Sequence, residues 1–202
     1  MVALVSQRYA GPSHPLGIRA LGLVLFLALV LLVITIARLG EKLDAADTGF
    51  GRVSWQTPLL AVALTAAMIW VWGPVSAWVL AKLRLGSFAT GSSALAGLPV
   101  WYLVVTIILV AASEEWLYRG YGIERLAALT GHLWMACAIS ISAFGLAHLP
   151  LWGLGPSLTM LVPGACFTLL YIWRRDIVFL MLAHVATDLY GLLIAPRLIS
   201  RL

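Results

Sequence analysis

Six ionisable side chains lie where the surrounding sequence has little use for charge: Glu114, Glu115, Arg119, His148, His184 and Asp188. The sixteen residues from Leu98 to Ser113 carry no formal charge, and Glu114, Glu115 and Arg119 follow directly in what should be the same apolar helix. On insertion scales an Asp or Arg at the centre of a membrane helix costs about 2.5–3.5 kcal/mol. Such residues persist when they are paired or face a wet cavity, so this cluster is the first place to look for chemistry.

The spacing divides the six. Glu115 and Arg119 stand four residues apart, as do His184 and Asp188, and that interval puts both members of a pair on one helix face. Glu115 with Arg119 therefore reads as an ion pair that neutralises itself. Glu114 is about 100° round the helix from Glu115 and cannot share its environment. Its own i+4 neighbour is Tyr118. An unpartnered carboxyl in apolar surroundings resists ionisation, which suits a general base working near neutral pH. Asp188 can accept an N–H of His184, fix its tautomer and leave the other ring nitrogen to act. Glu114, His148, His184 and Asp188 thus form an acid/base set. Glu and His are also zinc-ligand types, although His-Glu-x-x-His is absent, as is Gly-x-Ser-x-Gly. His14 and His132, in a tail and at a helix start, are assigned no role.

The elements that must position these residues are membrane helices. With 62% hydrophobic and 10% charged residues and a mean hydropathy of +1.01, the chain is far from soluble-domain composition. Six apolar segments emerge, at about Leu16–Ala37, Pro58–Ala81, Leu98 to either Arg119 or Leu129, His132–Leu151, Gly155–Trp173 and Ile177–Ala195. At about 20 residues per span they use nearly all of the 202 residues, and no stretch is left for a separate water-soluble domain. The fold expected is all-α and polytopic with about six transmembrane helices. Residues 1–97 would supply two N-terminal helices with their linkers, and residues 98–202 a four-helix core holding the chemistry. The first apolar run is too long for a secretory h-region and reads as an uncleaved span.

The breaks between and within the segments can be read from turn residues. Arg38, Glu41, Lys42, Asp44, Asp47 and Arg52, with Gly40, Gly49 and Gly51, suggest a solvated loop without a site. Trp72-Gly-Pro74 should kink or interrupt the second span. Lys82–Gly97 reads as a flexible linker, and Gly120 and Gly122 favour a break after Arg119 followed by a short amphipathic piece. Pro163-Gly164 is a weak point of the fifth span, and Pro196 should stop the sixth. Arg174-Arg175-Asp176 is short enough to make the fifth and sixth spans antiparallel neighbours.

The remaining features have ordinary membrane explanations. Trp55, Trp101, Trp134, Trp152 and Trp173 fall at segment ends, as interfacial belts predict. Cys137 and Cys166 lie in apolar runs and read as small buried hydrophobes. The net charge of +5 and pI of 9.6 fit contact with anionic lipid headgroups. No dense basic face suggests nucleic acid. Six basic residues, including Arg8, Arg19, Arg197 and Arg201, fall on one side and seven on the other, so the positive-inside rule leaves orientation open.

Glu114-Glu115-x-x-x-Arg119, Phe144-x-x-x-His148 and His184-x-x-x-Asp188, in that order on separate apolar segments, resemble the CPBP family of intramembrane proteases. That family covers abortive-infection, CAAX protease and bacteriocin-processing proteins, and includes the type II CAAX prenyl endopeptidases. The resemblance spans roughly Leu98 to Ala195. It implies hydrolysis of a peptide bond in a membrane-associated or lipidated protein, with Glu114 activating water and His148 helping to orient it. His184 and the residue four on would stabilise the oxyanion. That residue is Asp188, where better-studied prenyl endopeptidases have Asn, and its expected part is to orient and charge His184. Glu115, Arg119 and Phe144 would support or shape the cavity. No cofactor is expected, with a divalent metal as the less favoured alternative. A bacterial inner membrane is the expected location, and the partners are the bilayer and the substrate, not nucleic acid. The competing reading is a non-proteolytic membrane protein of the same fold, acting as an immunity or partner protein or as a carrier.

Overall fold

The structure, a computed structural model, describes residues 16–199. Arg8, His14 and Arg201 fall outside them. Six helices among the described residues are long and apolar enough to cross a membrane: α1 (Leu16–Gly40), α2 (Gln56–Leu83), α4 (Val100–Thr130), α5 (Leu133–Trp152), α6 (Leu154–Arg174) and α7 (Ile177–Leu198). A short helix, α3 (Ala89–Ala96), lies between α2 and α4. No strand occurs among the described residues. The chain is an integral, multi-pass, all-α membrane protein.

Four of the spans contain a wide turn in which backbone bonds skip to the fifth residue. The one in α2, Met68–Trp72, ends where Gly73 N–H donates to Met68 O. Pro74 follows directly, and its missing N–H and bulky ring would crowd the preceding turn of a regular helix. The interruption expected at Trp72-Gly-Pro74 is this widening, and the helix runs on to Leu83. In α4 the wide turn, Trp116–Tyr121, replaces the break expected after Arg119. The amphipathic piece Gly122–Thr130 continues the same helix. At 31 residues α4 is about 46 Å long, well beyond a hydrocarbon core of about 30 Å, so its last turns reach the interface.

Three further expectations are corrected. The interruption of α6 falls at Met160, between Leu154–Thr159 and Leu161–Arg174. Pro163 sits in the first turn of the second piece, where a missing N–H is harmless. Pro196 does not stop α7, because a wide turn at Leu189–Ile194 lets a helical turn resume at Ala195–Ile199. The Lys82–Gly97 linker is folded over half its length as α3, fixed by Phe88 packing edge-on to Trp152 at 5.6 Å and by Arg19 Nη1 donating to Ala94 O at 2.9 Å. Trp152 is therefore a packing residue, while Trp55, Trp101, Trp134 and Trp173 are exposed as a belt requires.

The 41–55 loop is not a solvated spacer either. Thr48 is buried, and Ile177 N–H donates to Gly49 O at 3.0 Å. Gly49 has φ +94°, and a Cβ there would lie 2.9 Å from the Tyr171 ring. Only glycine accepts both the left-handed backbone and that approach. Gly120 on α4 meets the loop from the other side, since a Cβ there would stand 2.6 Å from Thr48 O. The start of α7 is locked by Asp176, fully buried, which accepts from Val178 N–H and Phe179 N–H as an N-cap and from Thr57 Oγ1 at 2.5 Å. That last bond joins α2 to α7 across 119 residues. Around it packs the main apolar core, with Ile123, Phe167, Tyr171, Phe179 and Leu180 at its centre. Consequently α7 packs chiefly on α2 and α4, and meets α6 less extensively than the short Arg174–Asp176 turn suggests.

Candidate active site

Glu115 stands in the last regular turn of α4, just before the wide turn, and is fully buried. Its Oε1 accepts from Arg119 Nη1 at 2.8 Å, the expected ion pair. The same oxygen accepts from His184 Nδ1, also at 2.8 Å, which the spacing did not foretell. A buried carboxylate holding two nitrogen donors has much of its desolvation offset by charge-assisted bonds.

Arg119 is 1% exposed, and its guanidinium is enclosed by aromatic faces. Its Cζ lies 4.3 Å from the centre of Phe144, 5.8 Å from Phe167 and 5.9 Å from Tyr118. Nη2 donates to Gly164 O at 3.3 Å. Gly164 packs closely under the same ring, since a Cβ would stand 3.2 Å from Phe144. Gly164 and Phe167 were missed from the sequence. Pro163-Gly164 looked like a helix weak point, and an apolar ring in an apolar helix carries no signal.

Phe144 connects the ion pair to both histidines. Its ring centre is 4.5 Å from that of His148 and 6.2 Å from that of His184, and Phe167 lies 5.8 Å from His184. His148 Nδ1 is 2.7 Å from Phe144 O, one turn back on α5. A carbonyl only accepts, so this nitrogen carries the proton and Nε2 is left for a reacting group. His184 Nδ1 is likewise the donor to Glu115. Its Nε2 lies 3.7 Å from Asp188 Oδ2, beyond a hydrogen bond but within ion-pair range. Asp188 was expected to fix the His184 tautomer; in the structure Glu115 holds Nδ1 and Asp188 faces the opposite nitrogen at longer range.

Glu114 makes no hydrogen bond among the described residues, and its carboxyl interacts electrostatically with His148, His184 and Asp188. The two adjacent carboxylates therefore have different surroundings. Glu115 is closed into the protein. Glu114 is partly buried beside the two histidines, with its oxygens uncommitted. The site comes from α4, α5, α6 and α7, and openness rises along the line from Glu115 (0% exposed) through His184 (12%) to Asp188 (37%). No set of three or more His, Cys, Asp or Glu among the described residues is arranged to hold a metal ion.

The carboxylates and histidines are thus gathered from three spans, α4, α5 and α7, with Gly164 and Phe167 of α6 packed against them. Residues 96–190 match the family model described as type II CAAX prenyl endopeptidase Rce1-like. Over that segment, a little under half of the chain, the match supports the CPBP/CAAX protease family. Neither the curated proteins nor the solved structures give a match.

Proposed function

We propose that the protein hydrolyses a peptide bond of a membrane-associated or lipidated protein by glutamate-activated attack of water. The observation that carries this reading is Glu114: a carboxyl with no hydrogen bond among the described residues, beside two histidines whose Nδ1 atoms are engaged and whose Nε2 atoms make no hydrogen bond, that of His184 standing 3.7 Å from Asp188 Oδ2. Glu114 takes a proton from water as the hydroxyl oxygen attacks the scissile carbonyl, then delivers it to the departing amine. His148, with Nδ1 donated to Phe144 O, accepts a hydrogen bond from the same water through Nε2 and orients it. His184 stabilises the oxyanion through an Nε2–H. Carrying both ring protons makes it a cation, which Glu115 balances on one side and Asp188 on the other. An ionised Asp188 cannot itself donate to the oxyanion, so its contribution is through His184. Arg119 holds Glu115 in place and offsets its charge.

This route uses no resident metal, and cleavage is expected to persist in the presence of a chelator. The test of the function itself is quantitative proteomics of membrane fractions from cells carrying the wild-type chain or Glu114→Ala. One or a few membrane proteins should accumulate uncleaved in the variant. Identical fractions would favour a non-proteolytic partner role.

A further inference from the structure

On the face of α4 turned away from the acid/base set lies a cavity of about 260 Å³. Ala112 and Trp116 line it, each about 200° round the helix from Glu114 at 100° per residue. The opposite wall is α1, through Val30, Ile34, Ala37 and Arg38, and the 41–55 loop closes one end with Asp44 and Thr48. Away from this wall α1 is lightly packed. Only Val30 and Ala37 of that span are buried, and the helix is tied at its other end by the Arg19–Ala94 bond.

The lining is divided by chemistry. Towards the bilayer centre it is apolar. At its interfacial end it presents one cation and one anion. Arg38, in the last turn of α1, donates through Nη1 to Leu43 O at 3.0 Å, leaving further N–H groups of its planar fork for an anion. Asp44 accepts Asp47 N–H on Oδ1 at 3.1 Å, leaving Oδ2 for a donor. A purely anionic ligand would be opposed by Asp44 and a purely cationic one by Arg38. A zwitterion meets both.

We infer that this cavity is a site for a zwitterionic phospholipid, with phosphate on Arg38, a primary ammonium on Asp44 and part of one acyl chain between α1 and α4. The volume is below the roughly 300–1,000 Å³ of a site that encloses a whole small ligand, and suits a chain segment whose remainder lies in the bilayer. The lipid fills the gap that α1 leaves, and so couples α1 to the helix that carries Glu114. This assignment does not depend on the proposed protease chemistry.

The test is thermal unfolding of the full chain, purified in detergent and titrated with phosphatidylethanolamine or phosphatidylglycerol. The wild type should gain Tm saturably with phosphatidylethanolamine and less with phosphatidylglycerol, because ligand binding to the folded state stabilises it by mass action. Arg38→Gln and Asp44→Asn should each need about tenfold more phosphatidylethanolamine for the same shift, as loss of one charge-assisted bond implies. Ile34→Phe, which fills the apolar end, should abolish the saturable shift. Equal responses to the two lipids, or a phosphatidylethanolamine titration unchanged in Arg38→Gln, would overturn the assignment. Arg38 is exposed, so that variant decides the matter even if Ile34→Phe fails to fold.

Discussion

Glu114 and Glu115 are neighbours in sequence and opposites in structure. Glu115 is sealed, with one oxygen shared between Arg119 and His184 and aromatic rings around its partner. Glu114 has no hydrogen-bond partner among the described residues and stands beside His148, His184 and Asp188. A helix places successive residues about 100° apart, so one turn can hold both a structural anchor and a reactive group. The wide turn directly after Glu115 lets the same helix bend its later residues into contact with the loop at Gly120. On the proposed mechanism Glu115 fixes the positive charges in place, and Glu114 stays free to move a proton.

Several substitutions would break or sharpen that contrast. Glu115→Ala strands Arg119 and frees His184, and removing one partner of a buried pair costs about 3–5 kcal/mol. Tm should fall steeply and cleavage should be lost with it; a variant of normal Tm would mean that the anchor is not Glu115. His184→Gln removes the cation facing Asp188, and cleavage should drop by about 10²–10³-fold, the usual cost of an oxyanion-stabilising group. The substrate KM should change much less than kcat. Phe144→Leu removes the ring against Arg119, worth about 0.5–2 kcal/mol in cation–π attraction, and loosens both histidines. A modest Tm decrease with a partial loss of cleavage is expected, and neither changing would count against the aromatic enclosure. Asp188→Asn should have the smallest effect, under about tenfold, because its carboxyl is 3.7 Å from His184 and partly exposed, as in weak ion pairs.

The same contrast marks what the sequence could show. The six spans were legible because lipid imposes one composition on every residue facing it. The Glu115–Arg119 pair was legible because both lie on one helix, where spacing fixes geometry. The bond from Glu115 to His184 was not, since it depends on how α4 and α7 are rotated and tilted against each other. Spacing alone assigned His184 to Asp188, the partner on its own helix, while the shorter bond runs to another helix. The 41–55 loop misled for a related reason. Its charges look solvated, whereas its docking rests on Thr48 and Gly49, two small residues with little individual signal. The folding of α3 was hidden likewise in a Gly- and Ser-rich segment, held by Arg19 and Trp152 from distant parts of the chain.

The central claim is that Glu114, and not Glu115, supplies the catalytic carboxylate. It is tested most directly by purified Glu114→Gln, with cleavage of the substrate that accumulates in vivo and Tm measured on the same preparation. Loss of a general base should reduce cleavage by about 10²–10⁴-fold, while Tm stays near the wild-type value because Glu114 makes no hydrogen bond among the described residues. Cleavage retained at near wild-type rate, or lost only together with the fold, would contradict it.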